Sequence, residues 1–216
     1  YGRSILPHQK YYNVRNITEY DAEITQALEI IGAEQNDAVL LCGHSTGGLT
    51  ATLYAAHHPE HPLIKALWLN SPFYDFNMHP LKRAFALPNL SRLGKVFPNL
   101  QLPSELNKWY SASLHKELKG EWEFNLDWKK EAYPKVRLSF ISAVFEAQKE
   151  IHRGVKIDVP ALVMHSHQTK NPRKWGKAAQ SSDVILSVKH IRKYAKKIRG
   201  DVTIAEIKNG LHDLVL

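Results

Sequence analysis

A short apolar run that ends in a serine flanked by glycines is the feature that most constrains how this chain can fold. Residues 38–42 read Ala-Val-Leu-Leu-Cys, a pattern typical of a buried strand, and residues 43–48 read Gly-His-Ser-Thr-Gly-Gly. The residues that follow predict a helix, so the chain must pass from strand to helix in a very tight turn that exposes the hydroxyl of Ser45. We expect Gly43 and Gly47 to be glycines because Cβ atoms at these positions would clash within the turn.

Strand and helix patterns alternate along most of the remaining chain. Short joins between strand, helix and strand are typical of a parallel sheet, so the sequence predicts an α/β fold with a mostly parallel sheet flanked by helices. Residues 73–155 break the alternation, are rich in aromatic residues and predict a mainly helical insertion. We therefore expect a core made of residues 1–72 and 156–216. The predicted strands cover residues 38–42, 63–69, 160–165 and 202–207, and the predicted helices cover residues 17–31, 49–57, 136–145 and 188–198.

An exposed serine of this kind requires a general base and an acid that orients the base. His212 follows the last predicted strand on a glycine-containing turn, a position that suits the base. Asp183 lies after the strand at 160–165 and before the helix at 188–198, which suits the acid, because sites in parallel sheets lie beyond the carboxyl ends of the strands. The backbone N–H of Thr46 would lie at the N-terminus of the helix after the turn, where it can stabilise an oxyanion.

Other histidines and aspartates fit these roles less well. His44 lies inside the turn, and we expect its side chain to point away from that of Ser45. His165 and His167 also follow a strand, but a structural role is the better interpretation for both. Asp183 has an alternative interpretation as an N-terminal helix residue that opposes the helix dipole. The aspartates that lie in the insertion or precede a strand, and that we set aside, are Asp75, Asp127, Asp158 and Asp201.

Four segments together resemble a known superfamily. Residues 43–48 resemble a nucleophile elbow, residues 1–4 resemble an upstream Gly-x-Gly-x-Ser loop, and residues 183–185 and 210–213 resemble acid and base loops. The chain therefore resembles the α/β-hydrolase superfamily, and within it the lysophospholipase, monoacylglycerol lipase and serine aminopeptidase-like branch. The resemblance covers nearly the whole chain, more weakly in the insertion, and it supports Ser45, Asp183 and His212 as nucleophile, acid and base.

The resemblance also implies how the insertion and the start of the chain contribute. In that branch an insertion at this point forms a cap over the serine. Phe73, Tyr74 and Phe76 directly follow a predicted strand, so they are candidates for a substrate pocket under the cap. Such enzymes also carry a His-Gly loop that donates a second oxyanion N–H. We expect this loop and the first strands of the fold to lie upstream of residue 1.

Composition narrows the classes of partner. The net charge is +8 at pH 7, but the basic surplus is concentrated after Gly154, and no basic stretch is interleaved with stacking aromatic residues. We therefore predict no nucleic-acid partner, while a weak contact with an anionic membrane surface stays open. No apolar run reaches the roughly 20 residues that span a bilayer. The single cysteine, Cys42, excludes an internal disulfide framework, and we expect a cytoplasmic protein that uses neither metal nor cofactor.

Three functions remain open, and they differ in what binds above Ser45. The first is a serine hydrolase that cleaves a carboxylic ester with a small or medium acyl or glyceryl group through an acyl-enzyme. The second is a serine aminopeptidase, which needs an anionic group to hold the substrate's amino group. The third is a non-catalytic binding protein on a hydrolase scaffold, although binding alone does not require a serine, an acid and a base together. The acidic residues of the insertion that suit the second function are Glu105, Glu117, Glu121 and Glu123.

Overall fold

A four-stranded parallel sheet organises the part of the chain that the structure, a computed structural model, describes, which is residues 4–33, 38–104 and 106–215. A separate pair of two-residue strands is antiparallel. The strands are β1 (Val39–His44), β2 (Ile64–Asn70), β3 (Gln101–Leu102), β4 (Val136–Arg137), β5 (Ala161–Ser166) and β6 (Val202–Ile207). The α-helices are α1 (Asp21–Ala33), α2 (Thr46–His57), α3 (Pro80–Val96), α4 (Trp109–Ala112), α5 (Leu138–Arg153), α6 (Lys177–Gln180) and α7 (Val188–Ala195).

The order of strands in the main sheet is β1-β2-β5-β6, and every pair is parallel. Helix α2 packs on β1 and β2, while α7 packs on β5 and β6. The predicted α/β fold is therefore confirmed. Each predicted strand of the core begins and ends within two residues of the ends of an observed strand. Because the four strands run the same way, their carboxyl ends meet at one edge of the sheet, where the loops that follow them can form a site.

The sequence prediction of a buried first strand is wrong for alternate residues of that strand. Leu40 is 54% exposed and Cys42 is also exposed, whereas Gly43 is buried. β1 lies at the edge of the described sheet, and alternate side chains of a strand point to opposite faces. The face that carries Leu40 and Cys42 is largely exposed among the residues that the structure describes. An apolar run alone therefore did not distinguish a strand buried on one face from a strand buried on both.

The helix predicted over residues 17–31 begins as a 3-10 helix at Ile17–Tyr20 and continues as α1. The Asn16 side chain accepts a hydrogen bond from the Thr18 N–H at 3.1 Å. The Glu19 carboxylate accepts one from the Asn16 N–H at 2.9 Å, which completes a capping box. This pair satisfies N–H groups that the first helical turn would otherwise leave without a partner.

The described part of residues 73–155 contains the helices α3, α4 and α5, which are joined by long loops and by the β3–β4 pair, so helices are its principal regular elements but cover less than half of it. Helix α5 packs against α3 and also places Val144 and Ile151 in the main hydrophobic core. The division between core and cap at residue 155 therefore stays a prediction, because α5 contacts both. Within the described ranges, we find no helix that combines the length and the apolar character needed to cross a membrane. Tyr1, Gly2, Arg3 and Glu105 lie outside the described residues.

Candidate active site

Ser45 lies on a strained turn between β1 and α2. Its backbone has φ 54° and ψ −118°, a conformation that is costly for a residue with a side chain. Its N–H donates to the carbonyl of Asn70 at 3.0 Å, and its carbonyl accepts from the N–H of Gly48 and from the N–H of Phe73, at 3.0 and 2.9 Å. Backbone hydrogen bonds from α2 and from the segment after β2 therefore hold the strained residue in place, as expected for a nucleophile elbow.

The glycines around Ser45 are not equally constrained. A Cβ atom at Gly43 would lie 2.6 Å from the Gly47 carbonyl oxygen, so a side chain cannot fit there without displacing backbone. At Gly47, by contrast, a Cβ atom would have no described atom within 4 Å, so our prediction of a clash at this position is wrong. The second tight position is Gly48, whose Cβ would lie 2.7 Å from the Cβ of Pro72. The elbow is therefore packed against the segment after β2 as well as against itself.

Asp183 and His212 form a buried pair. His212 Nδ1 lies 2.8 Å from Asp183 Oδ2, and the two residues are 3% and 0% exposed. The other carboxylate oxygen, Asp183 Oδ1, accepts hydrogen bonds from the N–H groups of Ile185 and Leu186 at 2.8 and 2.7 Å. These two donors determine the orientation of the carboxylate, which in turn orients the imidazole ring.

The long loop before Asp183 returns to the end of β5, which explains how a residue so far along the chain reaches the site. Asp183 pairs with Thr169 in an isolated parallel bridge. The N–H of Asp183 donates to the Gln168 carbonyl at 3.0 Å, and the Asp183 carbonyl accepts from the Lys170 N–H at 3.1 Å. Asp183 therefore lies beside the carboxyl end of a strand, where the topology rule for parallel sheets places functional residues.

Asn70, at the end of β2, connects the elbow to the loop that carries His212. Its carbonyl accepts the Ser45 N–H, and its side-chain oxygen accepts the Leu214 N–H at 3.4 Å. The sequence analysis did not single out this residue, although a polar residue at the end of an apolar strand is a usable signal. The described structure shows no hydrogen bond between Ser45 Oγ and His212, as is common where catalytic contacts tighten only when a substrate binds.

Thr46 is the first residue of α2, so its N–H has no partner within the helix and lies at the positive end of the helix dipole. An oxygen that acquires negative charge next to Ser45 would be stabilised by such a donor. The role of Thr46 as an oxyanion donor stays a prediction.

His44 lies beside the base, a contact that the sequence analysis did not consider. Its ring centroid is 4.7 Å from that of His212, and its Nε2 lies 3.5 Å from Asp213 Oδ1. Burial, with a smaller contribution from the charge of His212, lowers the pKa of His44 to about 4. His44 is therefore a neutral ring near pH 7 that packs against the imidazole of His212.

The three aromatic candidates for the substrate pocket separate into two kinds. Tyr74 is 0% exposed in the main core, and its hydroxyl lies 2.8 Å from that of Thr52, so its proposed place in a pocket is wrong. Phe73 and Phe76 are partly buried and contact each other edge to face, with ring centroids 4.9 Å apart. Phe73 also donates its N–H to Ser45, so these two rings remain candidates.

Sequence reasoning missed a group of residues that surrounds His212 on the side of the insertion. Asp213 directly follows His212 and pairs with Lys129 Nζ at 3.0 Å. The Tyr110 ring lies edge-on to the His212 ring, with centroids 5.5 Å apart. A small apolar cluster, separate from the main core, joins Tyr110 to Leu211 of the base loop. The insertion therefore reaches the base directly, and no local pattern in the sequence indicates that contact.

The aspartates and histidines that the sequence analysis set aside make contacts of other kinds. Asp75 is buried and pairs with Arg83 at 2.9 Å. The ring of His165 is 0% exposed, with its Nδ1 2.6 Å from the Ser166 carbonyl. His167 accepts the Asn209 N–H on Nδ1 at 3.1 Å. No group of three or more potential metal ligands occurs in the residues for which the structure gives positions.

The chain order of serine, aspartate and histidine, each placed after a strand of one parallel sheet, is the arrangement that characterises α/β-hydrolases, and the fold of this chain belongs to that class. The family described as serine aminopeptidase, S33, matches residues 1–216, so the chain belongs to this family. No curated protein sequence matches the chain.

Solved structures with a similar fold include several described as lipases and esterases. A monoacylglycerol lipase from Paleococcus ferrophilus has a TM-score of 0.65 and 22% identity, with coverage of 91% of this chain and 67% of that chain. A soluble variant of monoglyceride lipase from Saccharomyces cerevisiae has a TM-score of 0.57 and 14% identity, with coverage of 89% and 60%. An esterase from Exiguobacterium antarcticum has a TM-score of 0.56 and 18% identity, with coverage of 100% and 72%. Identities this low establish a common fold.

Proposed function

We propose that the protein is a serine hydrolase that cleaves carboxylic esters through an acyl-enzyme. The observation that supports this most directly is the buried Asp183–His212 pair at the end of a sheet whose first described strand ends in the Ser45 elbow. A nucleophile, a base and an acid that orients the base are the groups that acyl transfer to a hydroxyl requires. The names of the similar solved structures agree with an ester substrate.

In the proposed reaction, Ser45 Oγ attacks the ester carbonyl while His212 Nε2 takes the hydroxyl proton. The carbonyl oxygen becomes an oxyanion that the Thr46 N–H stabilises. When the tetrahedral intermediate collapses, the bond to the leaving alkoxide breaks, and His212 gives its proton to that oxygen. A water molecule then attacks the acyl-enzyme with the same base, which releases the carboxylic acid and restores the Ser45 hydroxyl.

Asp183 contributes orientation and charge to this cycle. Because Oδ1 is occupied by the N–H groups of Ile185 and Leu186, Oδ2 alone faces His212 Nδ1. The carboxylate therefore holds the proton on Nδ1, leaves Nε2 free to accept the serine proton, and stabilises the imidazolium that forms.

A serine aminopeptidase is the second candidate, and the family description favours it. That reaction needs an uncompensated anion near Ser45 for the substrate's amino group. Glu117 and Glu121 are exposed at the surface, and Glu123 is exposed and paired with Lys116. The glutamates of the insertion that the structure describes thus offer no buried anion, so we rank ester hydrolysis first.

Comparing the turnover of an aryl acyl ester with that of an aminoacyl anilide distinguishes these functions. We expect kcat/KM for the ester to exceed that for the anilide by at least about 100-fold, a difference in transition-state stabilisation of about 2.7 kcal/mol. The opposite ranking would favour the aminopeptidase. Ligand binding without turnover of either substrate would instead favour a binding protein on a hydrolase scaffold.

We further propose that the exposed face of α3 contacts an anionic lipid surface, from which an ester substrate could be taken up. Leu81, Phe85 and Val96 are 64, 69 and 69% exposed, and their spacing places them on one stripe of the helix. The sequence has no acidic residue from 76 to 104, and Lys82 and Arg92 are exposed basic residues of α3. An apolar stripe flanked by cations matches an anionic bilayer in both hydrophobicity and charge.

Vesicle co-sedimentation tests this surface. We expect the protein to bind vesicles rich in phosphatidylglycerol more strongly than vesicles of phosphatidylcholine alone, because electrostatic attraction adds to apolar burial. Replacing Phe85 and Val96 together by Ser should weaken binding roughly tenfold or more without changing turnover of a soluble ester. Leu106→Ser removes another exposed apolar side chain outside α3 and is the matched control. Equal binding of the double variant and the wild type, or no binding at all, would refute the proposal.

The single cysteine, Cys42, forms no disulfide, which is compatible with a reducing compartment. We propose the cytoplasm as the place where the enzyme acts, and a fractionation experiment on the source cells would test that assignment directly.

A further inference from the structure

The loop that carries His212 holds a second carboxylate, Asp213, directly beside the base. Asp213 is 8% exposed, and its Oδ1 lies 3.0 Å from Lys129 Nζ and 3.5 Å from His44 Nε2. Lys129 belongs to the inserted segment, while His44 and Asp213 belong to loops at the end of the main sheet. A cation from the insertion is thus paired with a carboxylate next to the proposed base.

Among the groups around Asp213, Lys129 supplies the compensating positive charge near neutral pH. Burial alone would raise the pKa of Asp213, but the charges of His44, Lys129 and His212 outweigh this effect and hold the pKa below its usual range. Burial lowers the pKa of His44 to about 4, so His44 is neutral at pH 7 and does not balance the carboxylate there. The titratable or charged groups that face Asp213 and His212 are His44, Tyr110, Lys129, Tyr133 and Asp183.

Both tyrosines among these groups are neutral near pH 7. Burial, followed by the charge of Asp213, raises the pKa of Tyr110 far above its usual value. Burial also raises the pKa of Tyr133, and the negative charge of Asp213 acts in the same direction. Among the residues that the structure describes, the charged neighbours of His212 are therefore two carboxylates, Asp183 and Asp213, and one cation, Lys129.

We propose that Lys129 is a positioning residue for His212, which it acts on through its ion pair with Asp213. The proposal rests on the proposed serine hydrolase activity, in which His212 must be neutral to accept the proton of Ser45. Without Lys129, the imidazole would face two uncompensated carboxylates, which favour its protonated form. The ion pair therefore offsets the effect of the second carboxylate, which would otherwise favour the imidazolium before the serine attacks.

The same lysine also supports the packing around the base. Its Nζ lies 5.4 Å from the ring centroids of Tyr110 and of Phe124, within the distance at which a cation is attracted to an aromatic face. The Tyr110 ring in turn contacts the His212 ring edge-on. Lys129 thus connects the insertion to the base through a charge and through an aromatic contact.

The pH dependence of kcat/KM on a soluble aryl ester tests this inference, because opposite substitutions should shift it in opposite directions. Lys129→Met leaves Asp213 uncompensated. The acidic limb of the profile, which is the pH range in which kcat/KM falls as the pH is lowered, should therefore move up by roughly 0.5–1 pH unit. Asp213→Asn leaves the cation alone, which disfavours the imidazolium, so the limb should move down by a similar amount. The double variant, Lys129→Met with Asp213→Asn, should have an acidic limb close to that of the wild type. Lys129→Arg, which preserves the positive charge, should leave the limb unchanged.

Lys116→Met is the matched control, because Lys116 also belongs to the insertion and pairs with an exposed carboxylate, Glu123. It should leave the acidic limb unchanged. Thermal unfolding of each variant shows whether the substitution lowers the stability of the fold, independently of any shift in the pH dependence of kcat/KM. If the wild type lacks ester hydrolysis that depends on Ser45, the proposed function itself fails. If it has that activity but the Lys129→Met and Asp213→Asn limbs do not move in opposite directions, the positioning role of Lys129 alone is refuted.

Discussion

Replacing Ser45 by Ala is expected to lower kcat for ester hydrolysis by about 10⁴ to 10⁶-fold while KM changes little. The substitution removes the atom that forms the acyl-enzyme, and removal of the nucleophile of a serine hydrolase leaves only the contributions of the oxyanion donors and substrate binding. The elbow backbone should persist, because the hydrogen bonds that hold it are made by main-chain atoms. Steady-state kinetics on an aryl ester, with labelling by a fluorophosphonate probe, measures the effect.

The probe should label the wild type at Ser45 and leave the Ser45→Ala variant unlabelled. Ser104→Ala changes a serine of the inserted segment outside the site and should preserve both labelling and turnover. Labelling of the wild type at a different serine, or substantial turnover by the Ser45→Ala variant, would contradict the assignment of Ser45 as the nucleophile.

Replacing Asp183 by Asn is expected to lower kcat by about 10⁴-fold with the fold intact. The N–H groups of Ile185 and Leu186 donate to Oδ1, so the Asn carbonyl should take that position and its NH₂ group should face His212 Nδ1. An NH₂ donor there favours the tautomer that carries its proton on Nε2, and that tautomer cannot accept the proton of Ser45. Kinetics on the aryl ester, with circular dichroism as a check on folding, measures this change.

Asp158→Asn is the control for the loss of a carboxylate elsewhere. Asp158 lies before β5, at the opposite end of that strand from the site, and pairs with Lys156 at 2.6 Å. We expect its kcat to stay within about twofold of wild type, as for surface substitutions away from special features. Comparable losses in both variants, or near-normal kcat for Asp183→Asn, would argue against Asp183 as the acid.

Local sequence pattern was sufficient to predict the secondary-structure elements of the core and the order of the site residues along the chain. Strand and helix spacing located β5, β6 and α7, because each element's apolar face repeats within a few residues. The elbow could be identified because the sterics of the Gly43 turn act over only five residues. The predicted strand positions placed Asp183 and His212 after separate parallel strands, and the structure brings these two side chains into contact.

Other features could not be obtained from local pattern, because they depend on residues far apart in the chain. Tyr74 follows a strand in the manner of a pocket residue, but Thr52 and the core helices enclose it. Gly47 and Gly48 look equivalent in the sequence, but only Gly48 meets Pro72. The sequence analysis expected the His44 side chain to point away from that of Ser45, but it did not indicate that the folded base loop packs His212 against His44.

The sequence by itself determined the α/β class, the strained serine turn and the order of serine, aspartate and histidine, because periodicity and backbone sterics act between near neighbours. Only the tertiary structure decided which charges meet at the base. Lys129 and Asp213 are separated by 84 positions, and no spacing rule links them. They are paired because the insertion folds back over the loop after β6, where a buried carboxylate requires a compensating cation.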